Sequence, residues 1–212
     1  MSDLLEPGTA PRLIDDRSRP GFRELFGRLA RRASGIDVAL THLRLSTIDL
    51  NERELANVQQ IRLLLAEVSA VSLDAEAHAL LHRGPMAANL RRLATLLSLG
   101  RIEVRSSPLG GWAPDFSVFR NQEGPFAVLI GPHRFDRGLV HEGPVIASLH
   151  GGEGAVLLAA RFAEIWTRGH DIRPAIAGIL GRAERRAPRP NATTISARDP
   201  LRDSVDTPTS RG

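Results

Sequence analysis

Three polar residues near the end of an apolar run carry side chains that can bind an anion or move a proton. Residues 36–45 read IDVALTHLRL, and Thr41, His42 and Arg44 lie toward the carboxyl end of this predicted strand. Ligands of α/β sheets gather outside the carboxyl ends of strands, so position makes these three residues binding candidates. The alternative is that His42 and Arg44 simply face solvent or the sheet edge. Position in a fold does not by itself give a residue a function, which has to be argued from the site.

A second group of chemically capable residues follows the apolar run at residues 126–130. It consists of His133, Arg134 and His141. A histidine can serve as nucleophile or general acid, and an arginine beside it can hold the negative charge of a phosphate. These residues are the catalytic candidates if the protein is an enzyme. The alternative is that the segment GPHRFDRG is a surface turn.

Two further histidines, His78 and His82, are four residues apart in a predicted helix and therefore share one of its faces. No glutamate follows His78 in the HExxH pattern of zinc sites, and the nearby sequence offers no third ligand. The chain also has no cysteine, which excludes thiolate metal sites and disulfides. We therefore predict neither a metal ion nor a cofactor.

The segments that position these residues show alternating helical and strand patterns. A run with two phenylalanines, residues 115–120, leads through turn residues 121–125 to the continuous apolar run 126–130, which suits a strand buried on both faces. The other predicted strands are residues 36–45, 61–68, 101–105 and 145–149. Five helices are predicted: from near Pro20 to Gly35, from Asn51 to beyond Val58, from Ser72 to His82, from Met86 to just before Gly100, and from Gly154 to Arg168.

Length and charge limit the number of domains and the kinds of partner. With 212 residues, the chain can form one domain with a core plus tails. Residues 1–19 are predicted to be a flexible leader, residues 20–180 the domain, and residues 181–212 a disordered tail rich in arginine and proline. The tail has seven arginines and four acidic residues, so +3 of the net charge of +4 lies there. A near-neutral domain weakens a nucleic-acid-binding function.

The sequence has no signal for export or membrane insertion. No run approaches the roughly 18 apolar residues of a membrane span. The N-terminus lacks the basic segment followed by an apolar one that marks a signal peptide. We therefore predict a cytoplasmic protein without a membrane span.

The frame of residues 112–134 resembles the phospholipase D-like domain family. In that family a strand F-H-P-K-L-Y-L-F is followed by a turn, a buried strand and a Gly-Ser-x-Asn segment; here WAPDFSVF (112–119) and GPHR (131–134) stand at the matching places. The preceding LxxLLxxGxIEVR and the FAEIW of the last predicted helix also resemble family segments. The resemblance covers residues 36–171. It implies an α/β fold, with a mixed β-sheet flanked by helices on both faces in a single domain.

The family's catalytic residues are replaced in this chain. In the family one histidine takes the phosphoryl group, a second protonates the leaving oxygen, and lysines with Ser or Asn hold the phosphate charge. The matching positions hold Ala113 for the nucleophile, Asp115 for the lysine, Arg120 for the acidic residue and Pro132 for the serine. An anionic Asp115 would repel phosphate. Because the chain contains no lysine, no alternative register restores the motif.

The resemblance therefore implies a pseudoenzyme that acts as a binding or interaction module. The alternatives are a phosphodiesterase or phosphatidyltransferase-type enzyme rearranged around His133 and Arg134, and a nucleic-acid-associated protein. The expected ligand is anionic or contains phosphate. The candidate contact residues are Thr41, His42, Arg44, Asp115, Ser117, His133 and Arg134. Active family members need two motif copies, and this chain has no internal repeat, so the resemblance implies a homodimer through the former active-site face.

Overall fold

An eight-stranded mixed sheet runs through the protein and carries helices on both faces. The computed structural model describes residues 12–14, 22–48, 53–82, 84–108, 115–131 and 147–186. The strands are β1 (Arg12–Ile14), β2 (Gly35–His42), β3 (Gln60–Glu67), β4 (Ile102–Ser106), β5 (Phe116–Asn121), β6 (Gly124–Ile130), β7 (Ala147–His150) and β8 (His170–Asp171). The helices are α1 (Phe22–Arg32), α2 (Ala70–Leu81), α3 (Gly84–Ser98), α4 (Gly152–Arg168) and α5 (Arg173–Arg186). The order across the sheet is β1-β7-β6-β5-β2-β3-β4-β8, which confirms the predicted α/β fold.

The centre of the sheet consists of parallel strands β2, β3 and β4, with β5 antiparallel to β2. The first six residues of β2 are buried, as are Val118 and Phe119 of β5. Burial on both faces removes the need for polar residues at every second position, which explains the nearly continuous apolar sequence. Because β2 and β3 are parallel, their carboxyl ends lie at the same edge of the sheet.

The two faces of the sheet carry different numbers of helices. Helix α4 packs on one face through Phe162, Ile165 and Trp166, which form a cluster with Ala39 and Leu64 of the central strands. Helices α1, α2, α3 and α5 supply the cluster on the other face. The alternation of side chains along β2 sends Ala39 to the α4 face and its neighbours to the opposite face.

Local capping explains several helix ends. Helix α2 begins after Ser69, whose hydroxyl oxygen accepts a hydrogen bond from the N–H of Ser72 at 3.2 Å. The predicted start at Ser72 therefore lies inside the helix. Helix α3 ends at Ser98, before Gly100, which has a φ of +68°. Glycine adopts this left-handed conformation without the steric penalty of other residues, as the sequence predicts.

Strands β5 and β6 form the predicted hairpin. Asn121 pairs with Gly124 across a two-residue turn, and Gly124 has a φ of +124°. The side chain of Asn121 accepts a hydrogen bond from the N–H of Glu123 at 2.9 Å. Strand β6 thus begins two residues before the predicted run at residues 126–130, since Gly124 and Pro125 already pair with β5.

The connection from β2 to β3 differs from the helix predicted to begin at Asn51, which lies outside the described residues. Residues 53–57 form turns, and Leu45–Thr47 form one turn of 3-10 helix. Val58 is buried and Leu55 packs against the core, so the inward apolar face was predicted correctly. The N–H of Val58 donates to the carbonyl of Leu55 at 3.0 Å, which shows that a turn satisfies this backbone where a helix was expected.

Regular structure extends into both predicted tails. Within the predicted leader, residues 12–14 form β1, which pairs antiparallel with β7 and buries Ile14. Within the predicted disordered tail, residues 181–186 complete α5. The buried residues of α5 are Ile176, Ile179, Leu180 and Ala183. These residues have the spacing of one helix face, and the face continues past residue 180, where the domain was predicted to end. A boundary placed at residue 180 splits this apolar face, so the helix was not recognised from the sequence.

Candidate functional site

Asp115 and Thr41 contact each other at the carboxyl end of β2. The backbone N–H of Thr41 donates to Oδ1 of Asp115 at 2.7 Å, and the Thr41 hydroxyl donates to the same oxygen at 2.9 Å. The N–H of Gly131, just after β6, donates to the Asp115 carbonyl at 2.8 Å. Asp115 therefore joins the ends of three strands, and its carboxylate is held by two donors from β2.

His42 and Arg44 line an open cleft at the same edge of the sheet. The cleft has a volume of about 540 Å³, and its lining also includes Glu67, Ser69 and Ser72. His42 and Glu67 are register partners on β2 and β3, with Nδ1 of the imidazole 3.4 Å from Oε2 of the carboxylate. Their side chains are 62% and 65% exposed, so solvent screens the pair.

Glu76 lies at the cleft and fixes the segment that follows β2. Its carboxylate accepts hydrogen bonds from the N–H groups of Leu45 and Ser46, both at 2.9 Å, and from the Ser46 hydroxyl at 2.5 Å. These contacts fasten the 3-10 turn to helix α2. Because three protein donors occupy the carboxylate of Glu76, we assign this residue to positioning the cleft wall that carries Arg44.

A second polar cluster lies near the amino ends of β2 and β3, on the α4 face. Asp37 is fully buried, and Arg62 donates to both of its oxygens, from Nε at 2.7 Å and from Nη2 at 2.6 Å. Arg120 donates from Nη2 to Oδ1 of Asp37 at 2.9 Å. Its Nε lies 2.8 Å from Oδ2 as an ion pair that forms no hydrogen bond.

Arg62 and Arg120 make this cluster part of the core. The guanidinium of Arg62 lies over the rings of Phe162 and Trp166, 5.1 and 5.4 Å from their centroids. The ion-pair partner of Arg120 is thus Asp37, a carboxylate on the neighbouring strand β2.

The structure separates the other predicted site residues. Ser117 is fully buried and pairs in register with Val38, so it does not line the cleft. His133, Arg134 and His141 lie outside the described residues, as do Ala113 and Pro132.

His78 on α2 and His82, the C-cap of this helix, are both exposed, with ring centroids 5.3 Å apart. Among the described residues, no group of three or more His, Cys, Asp and Glu side chains is placed to hold a metal ion. In the same part of the chain, no helix has the length and apolar character that crossing a bilayer requires.

The sequence reasoning missed two contacts. One is the Asp37 cluster, whose signal was a lone carboxylate inside an apolar strand. The other is in β7, where the hydroxyl oxygen of Ser148 lies 2.9 Å from Nε2 of His150. Its signal was the two-residue spacing of Ser148, in the predicted strand 145–149, and His150, one residue beyond its end, which places both side chains on one face if the strand continues.

Comparison with known proteins gives similarities of fold. No protein-family model matches the sequence, and no curated protein matches it. One similar solved structure is Nuc, a phospholipase D family member from Salmonella typhimurium, with 12% sequence identity, a TM-score of 0.47 and coverage of 76% of this chain and 97% of Nuc. Another is NucT from Helicobacter pylori, with 7% identity, a TM-score of 0.45 and coverage of 76% and 98%. At these identities the similarity assigns no residue a role.

Proposed function

We propose that this chain is a catalytically degenerate phospholipase D-like protein that acts as a binding or interaction module. The observation that carries the proposal is the position of Asp115 and the hydrogen bonding of its carboxylate. It occupies the position that the sequence resemblance gives to a phosphate-binding lysine, and Thr41 holds its carboxylate with two hydrogen bonds. Two like charges 4 Å apart repel by about 4 kcal/mol at an effective dielectric constant near 20. A phosphodiester at this position would therefore be destabilised.

The cleft lined by His42 and Arg44, at the same edge of the sheet, supports a binding role for an anionic ligand. Arg44 and His42 line it, and the hydroxyls of Ser69 and Ser72 stand at the amino end of α2. A guanidinium and hydroxyl groups donate hydrogen bonds to phosphate or carboxylate oxygens. Glu67, which pairs with His42, and Glu76 also line the cleft, and their carboxylates limit the negative charge that it accepts. The proposed ligand is therefore small and carries one anionic group.

The loss of phosphodiesterase chemistry is tested with bis-(p-nitrophenyl) phosphate. The natural protein is compared with His133→Ala and with the double variant Ala113→His/Asp115→Lys, which returns two motif residues. We expect no turnover by the natural protein across the pH range in which it is folded. Turnover that is abolished in His133→Ala would replace the proposal with the rearranged enzyme.

Anion binding is tested by titrating inorganic phosphate while recording amide resonances of the full chain. We expect saturable shifts for Ser69 and Ser72 that are lost in Arg44→Gln. Arg168→Gln, at the exposed end of α4, is the matched control and should respond like the natural protein. Equal responses in all three proteins would remove the cleft from the proposal.

The binding module is proposed to pair with a second copy about a two-fold axis, through the edge that holds Thr41 and Asp115. The family resemblance supports this arrangement, because two motif copies meet in active family members. Sedimentation velocity at micromolar concentrations should give the mass of a dimer. A monomer at these concentrations would contradict the pairing.

A further inference from the structure

Ser148 and His150 form a nucleophile and base arrangement on strand β7. Their side chains lie on the same face of the strand, and Oγ of Ser148 is 2.9 Å from Nε2 of His150. When the imidazole proton is on Nδ1, Nε2 accepts the hydrogen bond that the hydroxyl donates. This separation falls within the 2.6–3.2 Å that is typical of a serine activated by a histidine. Both residues are half-buried, so the pair is partly open to solvent.

Ser148 has apolar neighbours on both sides in the sheet. It is the register partner of Leu13 on β1 and of Ile130 on β6. Register partners share one face and have Cβ atoms about 5 Å apart. Leu13 is 71% exposed, which leaves apolar surface available beside the hydroxyl. An acyl chain of a few carbons placed on Leu13 would therefore have its carbonyl carbon near Ser148.

His150 packs against the first turn of α4. A Cβ atom at Gly154 would lie 3.3 Å from Cβ of His150 and 3.6 Å from its Nδ1, so the absence of a side chain at Gly154 leaves room for the ring. The N-cap of α4 is Gly151, which offers no side chain to the first-turn N–H groups. Unsatisfied N–H groups at a helix start stabilise negative charge. His150 therefore packs beside the electropositive start of α4.

We propose that Ser148 and His150 hydrolyse carboxylic esters with a short apolar acyl group. Oγ of Ser148 attacks the ester carbonyl carbon, and its proton passes to Nε2 of His150. The bond to the alcohol oxygen then breaks, and the alcohol leaves with the proton from Nε2. Water attacks the acyl group on Ser148, again giving a proton to Nε2, and the proton returns to Oγ as the carboxylic acid departs.

This activity is separate from the proposed binding function. Neither Ser148 nor His150 stands at a position of the phospholipase D-like motif, and neither lines the cleft that holds His42 and Arg44. A phosphodiester has no carbonyl carbon, so it cannot form an acyl group on Ser148. A result for one site therefore leaves the other proposal unchanged.

The first test is covalent labelling of the full chain with an alkyl fluorophosphonate, followed by peptide mass analysis. We expect one adduct on Ser148, and none on this peptide in Ser148→Ala. The labelling rate should fall about 100-fold in His150→Gln, which is the lower range for loss of a general base. His170→Gln removes an exposed histidine on β8 and should label like the natural protein. No adduct on Ser148, or equal rates in His150→Gln, would overturn the proposal.

The second test measures hydrolysis of p-nitrophenyl acetate and p-nitrophenyl butyrate. We expect kcat/KM to be higher for the butyrate ester, and Leu13→Ser should remove this preference. Gly154→Ala should lower kcat, because the added Cβ would lie 3.3 Å from Cβ of His150 and crowd its ring. Gly178→Ala in α5 is the matched control and should leave turnover unchanged. Turnover that survives in Ser148→Ala would assign the activity elsewhere and contradict the proposal.

Discussion

Two polar pairs on the same two strands have opposite surroundings. Asp37 pairs in register with Arg62, and five residues further along the strands His42 pairs with Glu67. At about 3.3 Å per residue, the two pairs are about 16 Å apart. The Asp37 side chain is 1% exposed and the Arg62 side chain 19%, whereas those of His42 and Glu67 are more than 60% exposed.

The difference between the pairs comes from the elements that cover them. The alternation of side chains places Asp37 on the face where α4 packs and His42 on the opposite face, at the open end of the strand. The buried pair must be fully hydrogen-bonded because an unpaired buried charge is costly. The exposed pair has no such requirement, so its residues remain available for a ligand. One pair supports the fold, and the other supplies a candidate binding surface.

The largest expected effect is that of Asp37→Ala. Removal of the carboxylate leaves Arg62 and Arg120 without their shared partner, and the loss of one member of a buried ion pair lowers the free energy of unfolding by about 3–5 kcal/mol. Urea denaturation of the full chain measures this change. Glu67→Ala is the matched control on the exposed pair and should cost less than about 1 kcal/mol. Equal losses in the two variants would contradict the distinction between the pairs.

A second comparison separates the two arginines of the buried cluster. Arg62→Lys removes a bidentate contact and the stacking on Phe162 and Trp166, and it should lower the free energy of unfolding by about 2 kcal/mol. Arg120→Lys keeps the charge beside Asp37, and within the described part of the chain no aromatic ring lies under the Arg120 guanidinium, so a loss of about 1 kcal/mol is expected. Denaturation of both variants in the same urea series tests the order. A larger loss in Arg120→Lys would show that stacking is not what stabilises Arg62.

Thr41 lies between the two pairs along β2, and Thr41→Val tests its contact with Asp115. The variant removes the hydroxyl donor and keeps the backbone N–H, so a loss of about 1 kcal/mol in unfolding free energy is expected. Thr95→Val is the control, because its hydroxyl donates to the carbonyl of Arg91 on an exposed helix surface. That change should stay within about 0.5 kcal/mol. A silent Thr41→Val would mean that water replaces the hydroxyl at Asp115.

His42→Gln should have little effect on stability. The pair with Glu67 is solvent-exposed, so the change in unfolding free energy should stay within about 0.5 kcal/mol and decrease further in high salt. Chemical denaturation at low and high ionic strength measures it. A loss of more than about 1 kcal/mol in unfolding free energy would show that His42, like Asp37, stabilises the fold, and it would weaken the assignment of His42 to the cleft.

The smallest effect concerns Glu164 on the exposed side of α4. A hydrogen bond and the charge of Arg161, with a smaller contribution from Arg168, hold the pKa of the Glu164 carboxyl below its ordinary value. A lowered pKa adds stability above the ordinary glutamate pKa, and this stability is lost as pH falls through the pKa of the folded state. The difference between the natural protein and Glu164→Gln should therefore vanish in acid. A difference that grows in acid would have the wrong sign.

The sequence predicted more of the central sheet than of its edges. Strands β2, β3 and β6 were predicted from nearly continuous apolar runs, and β5 from a short run with two phenylalanines and a valine that leads into turn residues. The edge strands β1 and β8 have three and two residues, too few for a period to appear. The turn at residues 53–57 was predicted as a helix because Leu55 and Val58 face inward in either conformation.

The candidate site was predicted by position but not by contact. The carboxyl end of a predicted parallel strand directed attention to Thr41, His42 and Arg44, and the structure places the last two in one cleft. The bond between Thr41 and Asp115 joins residues 74 positions apart, so no local pattern contains it. Ser117 looked like a contact residue from its position, but burial removes it from the surface.

Composition and local pattern alone determined that the chain has no lysine and no cysteine and that its core strands are apolar. These properties belong to single residues or to neighbours along the chain. Only the tertiary structure decided that Asp37 is neutralised by two arginines while His42 and Glu67 stay exposed. The reason is physical: the energy of a charge depends on its solvent and its partners, and the packing of α4 and the pairing of strands distant in sequence set both.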